Sequence, residues 1–298
     1  MILILWWTHC SPTSEPDSSA KVTDASATLV RELEALGLER REARWIVDEF
    51  APAGDALFAT AVRHAAERRR AGEPLQYILG HWPFRTLDLD VDPRVLIPRP
   101  ETEELVGVVL RELARSSSAT PLIVDLGCGS GAIGLALHSE LDDRGVRATV
   151  VAVDVSLDAL AVARRNALKH QLLRTSFVHS NWFDELDPSL RTHVDVITAN
   201  PPYVGEGEMT FLDPVLTFEP RGALVSADFD GVVGFADVAS IISAAGEWLA
   251  PGGLIVCEHG TDHGSAAQEA ARHAGLVDVR GERDMAGHDR FLIARQPT

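Results

Sequence analysis

Between residues 122 and 134 an apolar run passes through a glycine-rich turn into a helical pattern. Leu122 to Leu126 contains a single acid, Asp125, and is followed by Gly127-Cys128-Gly129-Ser130-Gly131-Ala132-Ile133-Gly134. A strand, a glycine loop and a helix in direct succession let a ligand approach the backbone closely. This unit begins a longer alternation. After the polar break Ser116-Ser117-Ser118, strands are predicted near 121–126, 148–153, 175–179, 193–199, 252–258, 276–281 and 289–295. Helices are predicted near 131–140, 157–169, 231–249 and 263–274. Such alternation implies an α/β fold with a mostly parallel sheet covered on both faces.

The residues before the break follow different periods. Leu29, Leu33 and Leu36 recur at helical spacing up to Gly37. Further helices are expected at 40–50 and 55–71, the last ending in Arg68-Arg69-Arg70. Leu87-Asp88-Leu89-Asp90-Val91-Asp92 alternates strictly and reads as a half-buried strand, forming a hairpin with Tyr77 to Phe84. Pro98-Arg99-Pro100 stops that strand, and Glu101 to Arg115 reads as a helix with an acidic start. The expected organisation is a flexible tail over 1–25, a helical domain over 26–75, a hairpin linker over 76–98 and a catalytic domain over 99–298.

Two motifs carry chemistry. Gly129, Gly131 and Gly134 match G-x-G-x-x-G, and Asp154 lies 20 residues beyond Gly134, where an acid would hold ribose hydroxyls. A nicotinamide cofactor satisfies that pattern. Asp125 argues against it, because a pyrophosphate at the glycines would feel its negative charge. An acid there suits a ligand with a cationic amino group and no phosphate, such as S-adenosylmethionine. Asn181-Trp182-Phe183-Asp184 follows the third strand of the alternation. Trp182 or Phe183 would stack on an adenine there, and Asn181 would bond its edge.

The second motif is Asn200-Pro201-Pro202-Tyr203, at the end of the strand predicted over 193–199. Consecutive prolines fix φ, remove two backbone donors and extend the residue before each. The stiff loop carries the Asn200 side-chain acceptor, bare carbonyls on Asn200 and Pro201, and the flat face of Tyr203. It suits a planar substrate amine gripped by its N–H groups. Cys257, Glu258, His259 and His263 have the spacing of metal ligands, but three of them end a strand, where side chains alternate in direction. No metal is expected.

The net charge is −17 over 298 residues, and −12 of it falls after residue 118. Nucleic-acid binding leans on basic residues that neutralise phosphates, so this balance argues against a long DNA or RNA substrate. Three scattered cysteines, Cys10, Cys128 and Cys257, make no disulfide framework and fit a reducing cytoplasm. The apolar start, Met1 to Trp7, is too short to span a bilayer. A monomer is favoured.

With these residues assembled, the chain resembles the HemK/PrmC family of S-adenosylmethionine-dependent N5-glutamine methyltransferases of peptide chain release factors. The resemblance covers roughly residues 27–296. Its markers are Gly72-Glu73-Pro74-Leu75-Gln76-Tyr77, Leu96-Ile97-Pro98-Arg99-Pro100-Glu101-Thr102-Glu103, the Asp125 to Gly131 loop, Val153-Asp154, Asn200 to Tyr203, Phe218-Glu219-Pro220 and Glu258-His259-Gly260. It implies a Rossmann-like seven-stranded methyltransferase domain joined through a β-hairpin to a small N-terminal helical domain. Asp125, Gly127, Cys128, Gly129, Ser130, Gly131, Asp154, Asn181, Trp182 and Asn200 would then hold the cofactor. Asn200, Pro201, Pro202 and Tyr203 would grip the glutamine of a Gly-Gly-Gln motif, with Arg99 and Glu101 also binding the substrate. The partner would be a class I peptide chain release factor. Asn181 stands where the family often has Asp, and its carbonyl can still accept from the adenine amine. The alternatives are an adenine N6 methyltransferase on nucleic acid and a glutamine methyltransferase on a ribosomal protein.

Overall fold

The apolar runs predicted as strands assemble into one seven-stranded sheet in the computed structural model, which describes residues 24–51, 55–115 and 119–298. The strands in chain order are β3 (Leu122–Leu126), β4 (Thr149–Asp154), β5 (Thr175–His179), β6 (Val194–Ala199), β9 (Leu249–Glu258), β10 (Val277–Arg283) and β11 (Asp289–Arg295). Their spatial order is β10-β11-β9-β6-β3-β4-β5. The β3, β4, β5, β6 and β9 pairings are parallel, and β11 runs antiparallel to both its neighbours. Chain order reverses beside β3, and the crevice outside the carboxyl ends of β3 and β6 is where such sheets place ligands.

The strands are apolar because both faces are covered. Ile123, Val150, Val196 and Val256 pack on one side with α5 (Pro100–Leu113) and α6 (Ala132–Asp143). Val124, Val153, Ile197 and Ile255 pack on the other with α8 (Ala236–Trp248) and α9 (Gly264–His273). Successive residues therefore alternate between two cores, as the period of a strand requires. On α7 (Leu157–Lys169), Asn166 is fully buried. Its Nδ2 donates to the Ser130 carbonyl at 2.9 Å and to the Asp90 carbonyl at 3.0 Å, and its Oδ1 accepts from Asp90 N at 2.7 Å. That one side chain ties the glycine loop to β2 (Leu87–Asp90).

The chain divides into two compact units. One runs through Trp82 and includes Asp213–Phe218; the other comprises Pro83–Leu212 and Glu219–Thr298. In the first, α1 (Asp24–Ala35), α2 (Arg40–Phe50), α3 (Asp55–Arg70) and α4 (Leu75–Leu79) enclose Leu33, Ile46, Val62 and Ala66. The arginines closing α3 are partly consumed locally, Arg68 by Glu73 and Arg69 by Glu42. The division falls inside β1 (His81–Phe84), which pairs with β2 as a hairpin.

Two expectations need correction. Tyr77 was expected in the hairpin but lies in α4, because Pro74 leads into the turn and Gly80 closes it at φ 81°. The helix expected from residue 231 starts at Ala236, because Gly231 and Gly234 hold φ of 77° and 68°. The paired two-residue strands β7 (Val204–Gly205) and β8 (Val225–Ser226), with the 3₁₀ turns between them, were not anticipated. Residues 1–23 lie outside the described residues, as do the Ser116 to Ser118 break and Cys10. No helix among the described residues is long and apolar enough to cross a membrane.

Candidate active site

The glycine loop leaves β3 through three left-handed residues, Gly127, Gly129 and Gly131, at φ 67°, 54° and 85°. Each glycine answers a separate constraint. A Cβ on Gly127 would stand 3.2 Å from Trp182 Cζ3, so this backbone lies directly against the indole. A Cβ on Gly129 would meet nothing within 4 Å, so the loop is open above it. One on Gly134 would meet Asp125 Oδ2 and Val150 Cγ1, both at 3.0 Å, so that glycine lets α6 approach the sheet.

Asp125 is fully buried beneath the loop. Its Oδ2 accepts from Gly134 N at 3.0 Å and its Oδ1 from Thr198 Oγ1 at 2.8 Å. Burial pushes its carboxyl up to about 7, against the pull of those two donors. Asp154 ends β4, accepting from Gly129 N on Oδ2 and Ser156 N on Oδ1, each at 2.8 Å. Burial raises its pKa as well. A carboxylate has about four lone-pair sites, so with its backbone donors in place Asp154 can still accept a further donor. Cys128 turns its thiol into a small cluster with Ala152, Leu160 and Ala163. Its N–H goes to the Val153 carbonyl and its carbonyl takes Gly131 N–H, both at 2.8 Å.

Trp182, at φ 49°, is pinned by its Nε1, which donates to Asp237 Oδ1 at 3.2 Å. Asn181 is exposed and bonds Asp184 Oδ2 at 3.2 Å. Phe183, weighed as an adenine platform, is instead stacked on Trp248 with ring centroids 5.5 Å apart. Phe183 lies in the turn after β5 and is buried in the core, which leaves Trp182 as the aromatic against the glycine loop.

Asn200 follows β6. Its Nδ2 donates to Thr102 Oγ1 at 3.0 Å, and that hydroxyl donates to Glu258 Oε2 at 2.9 Å. Tyr203 Oη reaches Glu258 Oε1 at 3.4 Å, a long contact. Glu258 is 1% exposed, and its burial raises its pKa to about 7 while Arg290 pulls the other way. Arg290 itself is buried, donating to the His259 carbonyl at 3.1 Å and Asp284 Oδ2 at 3.3 Å. Burial and the neighbouring Glu258 raise the Tyr203 phenol far above its usual range, so it stays protonated.

Arg99 pairs with the buried Glu219, whose other oxygen accepts from Ile97 N at 3.0 Å. The Ile97 to Glu103 segment is thereby tied to Glu219. Glu101 has a buried Oε2 without a hydrogen-bond partner, and burial raises its pKa. The structure thus gathers Asp125, the glycines, Asp154 and Trp182 around one loop, and Asn200 and Tyr203 around Glu258. Thr102, Glu258, Arg290 and Asp237 were not singled out as site residues from sequence. His259 and His263 bond backbone carbonyls, and no described group of three His, Cys, Asp or Glu residues is placed to hold a metal.

A glycine loop after the first sheet strand, an acid ending the second and Asn-Pro-Pro-Tyr ending the fourth define an S-adenosylmethionine-dependent methyltransferase. The residues fit that cofactor: Gly129 leaves open space, Gly127 lies against an indole, and the Asp154 carboxylate sits at the end of β4 beside the loop. A family model described as Methyltransferase small domain matches residues 107–213. The chain is 40% identical over 237 residues to the release factor glutamine methyltransferase of Burkholderia pseudomallei, covering 77% of this chain and 78% of the relative. It is 39% identical over 277 residues to the one from Bordetella pertussis, covering 89% and 98%. The chain belongs to the release factor glutamine methyltransferase family. Among solved structures, the 16S rRNA N2 G1207 methyltransferase of T. thermophilus shares the fold, with TM-score 0.50 and 17% identity over 72% of this chain and 49% of that one.

Proposed function

We propose that this chain methylates the N5 side-chain nitrogen of the glutamine in the Gly-Gly-Gln motif of a class I peptide chain release factor. The relatives named above carry a release factor and a glutamine acceptor in their names. The observation that carries the chemistry is the orientation of Asn200. With Nδ2 donated to Thr102 Oγ1, the remaining polar end of the side chain is Oδ1, an acceptor. Two prolines follow, so Asn200 Oδ1 and the Pro201 carbonyl are acceptors in a stretch without backbone N–H.

An amide nitrogen is a poor nucleophile, because its lone pair is delocalised into the carbonyl. Two acceptors on its N–H groups fix its direction and favour positive charge as it develops there. Tyr203 offers a ring face to the flat amide. S-adenosylmethionine, when bound, supplies an electrophilic methyl group. Asp154 would hold its ribose hydroxyls, and Gly127 to Gly131 with Trp182 would bound its amino-acid and adenine ends. The nitrogen loses its proton to water after transfer, so no strong base is required. Arg99 contributes by tying the segment that carries Thr102 to Glu219, and Glu101, with an unpartnered carboxyl oxygen, would bind the substrate. A reducing, cytoplasmic setting suits the buried free thiols Cys128 and Cys257.

The test is transfer of labelled methyl to a class I release factor, read by peptide mass spectrometry beside a factor whose Gly-Gly-Gln glutamine is replaced. Label on that glutamine alone supports the reading. Label on a ribosomal protein or on adenine, or none anywhere, overturns it. Asn200→Ala is expected to abolish turnover while cofactor affinity stays within about threefold.

A further inference from the structure

An asparagine amide is nearly symmetric in shape, and nothing in Asn-Pro-Pro-Tyr dictates which end faces the substrate. If the NH₂ end faced outward, the loop would repel the N–H groups it must grip. We propose that Thr102 and Glu258 are positioning residues that fix this choice, holding the carbonyl oxygen of Asn200 toward the acceptor glutamine. The inference rests on the functional reading above and assigns the direction of its central group.

The proton on the Thr102 hydroxyl decides the orientation. A hydroxyl has one proton to give and two lone pairs. Thr102 gives its proton to Glu258 Oε2 at 2.9 Å. What remains on Oγ1 is acceptor only, so the group 3.0 Å away on Asn200 must be the NH₂ end. A reversed Asn200 would set Oδ1 against those lone pairs. Relief would require the Thr102 proton to turn away from Glu258, removing a donor from a carboxyl that is almost completely buried. Titratable groups face Glu258 from the elements packed against it. Arg290 faces it from β11, Glu101 from α5 and Tyr203 from the catalytic loop, with Asp284 paired to Arg290. Tyr203 Oη lies 3.4 Å from the other oxygen of the same carboxyl, so one buried group neighbours both ends of the tetrapeptide. The three elements that meet here are α5, the loop after β6 and the end of β9, whose residues lie 98 and 156 positions apart.

The experiment uses the full chain with release factor and S-adenosylmethionine. Thr102→Val keeps the shape and removes the hydroxyl; Thr102→Ser restores it. Thr102→Val is expected to lower kcat by about tenfold or more, with cofactor affinity and the release factor KM within about twofold. Thr102→Ser is expected to recover kcat to within about threefold of the parent, which a packing role for the methyl group would not produce. An unchanged kcat in Thr102→Val, or an equal loss in Thr102→Ser, overturns the proposal. If Thr102→Val no longer binds cofactor, Glu258→Gln takes its place. That variant can donate as well as accept, and turnover equal to the parent overturns the proposal. A second readout is the ¹⁵N side-chain amide signal of Asn200, assigned by its loss in Asn200→Ala. It should move in Thr102→Val and hold in Thr102→Ser. A parent protein that leaves the release factor glutamine unmethylated sinks the functional reading instead, and the amide signal alone then decides the orientation, a signal unmoved in Thr102→Val overturning it.

Discussion

The indole of Trp182 lies so close to Gly127 that a single added carbon on the glycine would come within 3.2 Å of Cζ3. The ring cannot swing aside freely, since its Nε1 is bonded to Asp237. Gly127 also holds φ 67°, a region that costs an L-residue roughly 1–2 kcal/mol. Gly127→Ala therefore meets two penalties at the cofactor loop. We expect cofactor affinity to fall by about tenfold or more, measured by calorimetric titration, with the Tm lowered only modestly. Affinity within twofold of the parent would mean that the loop and Trp182 do not bound the ligand together.

Asn166 supports the same loop from below. Its side chain makes bonds to Ser130 and to both polar backbone groups of Asp90 while fully buried. Asn166→Ala leaves those backbone groups without partners in a dry site. Unfolding in urea should show a loss of about 2–4 kcal/mol. A loss under about 0.5 kcal/mol would show that the loop finds other partners.

How much of this could be read from the chain follows the range of the interactions. The sheet strands were legible because residues such as Val124, Val153 and Ile197 lie in runs buried on both faces, a local property of composition. The turn residues Gly127 to Gly131 and the Asn200 to Tyr203 loop were legible because backbone restriction is also local. Thr102 sat inside a recognised segment, yet its role depends on Glu258, 156 positions away. Glu258 stood out in the sequence as part of a family marker and as a candidate metal ligand beside Cys257 and His259, neither of which points to Thr102. The strand's alternation sends Cys257 into one core, while Glu258 sits under Tyr203. Asn166 looked like an ordinary polar residue of a helix, because its partners lie 36 and 76 positions away. The five-residue helix α4 was missed because it is set by flanking Pro74 and Gly80 rather than by periodicity.

The two buried carboxyls make stability depend on pH in a stated direction. Burial raises both Asp125 and Glu258 to about 7 in the folded protein, above their ordinary values of 3.8 and 4.5. Between those limits the folded state holds protons that the unfolded chain has released. Their contribution is therefore complete below about pH 4 and is lost as pH rises through about 7. Urea midpoints for the pair should decline from pH 5 to pH 8, and Glu258→Gln should flatten part of that decline. Turnover should run oppositely. Protonated Glu258 can donate to Thr102, which frees that hydroxyl to face Asn200 either way, so kcat should fall on the acid side of about pH 7. An acid limb that persists unchanged in Glu258→Gln would assign the titration to another group.

Tyr203 separates a stacking role from a proton-handling one. Its phenol is held protonated well above working pH by burial and by the neighbouring Glu258. Its bond to Glu258 Oε1, at 3.4 Å, is too long to contribute much. The ring, by contrast, lies in a stiff loop directly after Pro201 and Pro202, where its face can meet a planar amide. Arg290 sits with its guanidinium carbon 6.0 Å from the ring centroid, a further brace on that orientation. Tyr203→Phe should therefore lose only a few-fold in kcat, because the platform survives. Tyr203→Ala should lose about a hundredfold, because the acceptor amide is then positioned on one side only. Equal losses in the two variants, measured with labelled cofactor at saturating release factor, would shift the role of Tyr203 from its face to its hydroxyl.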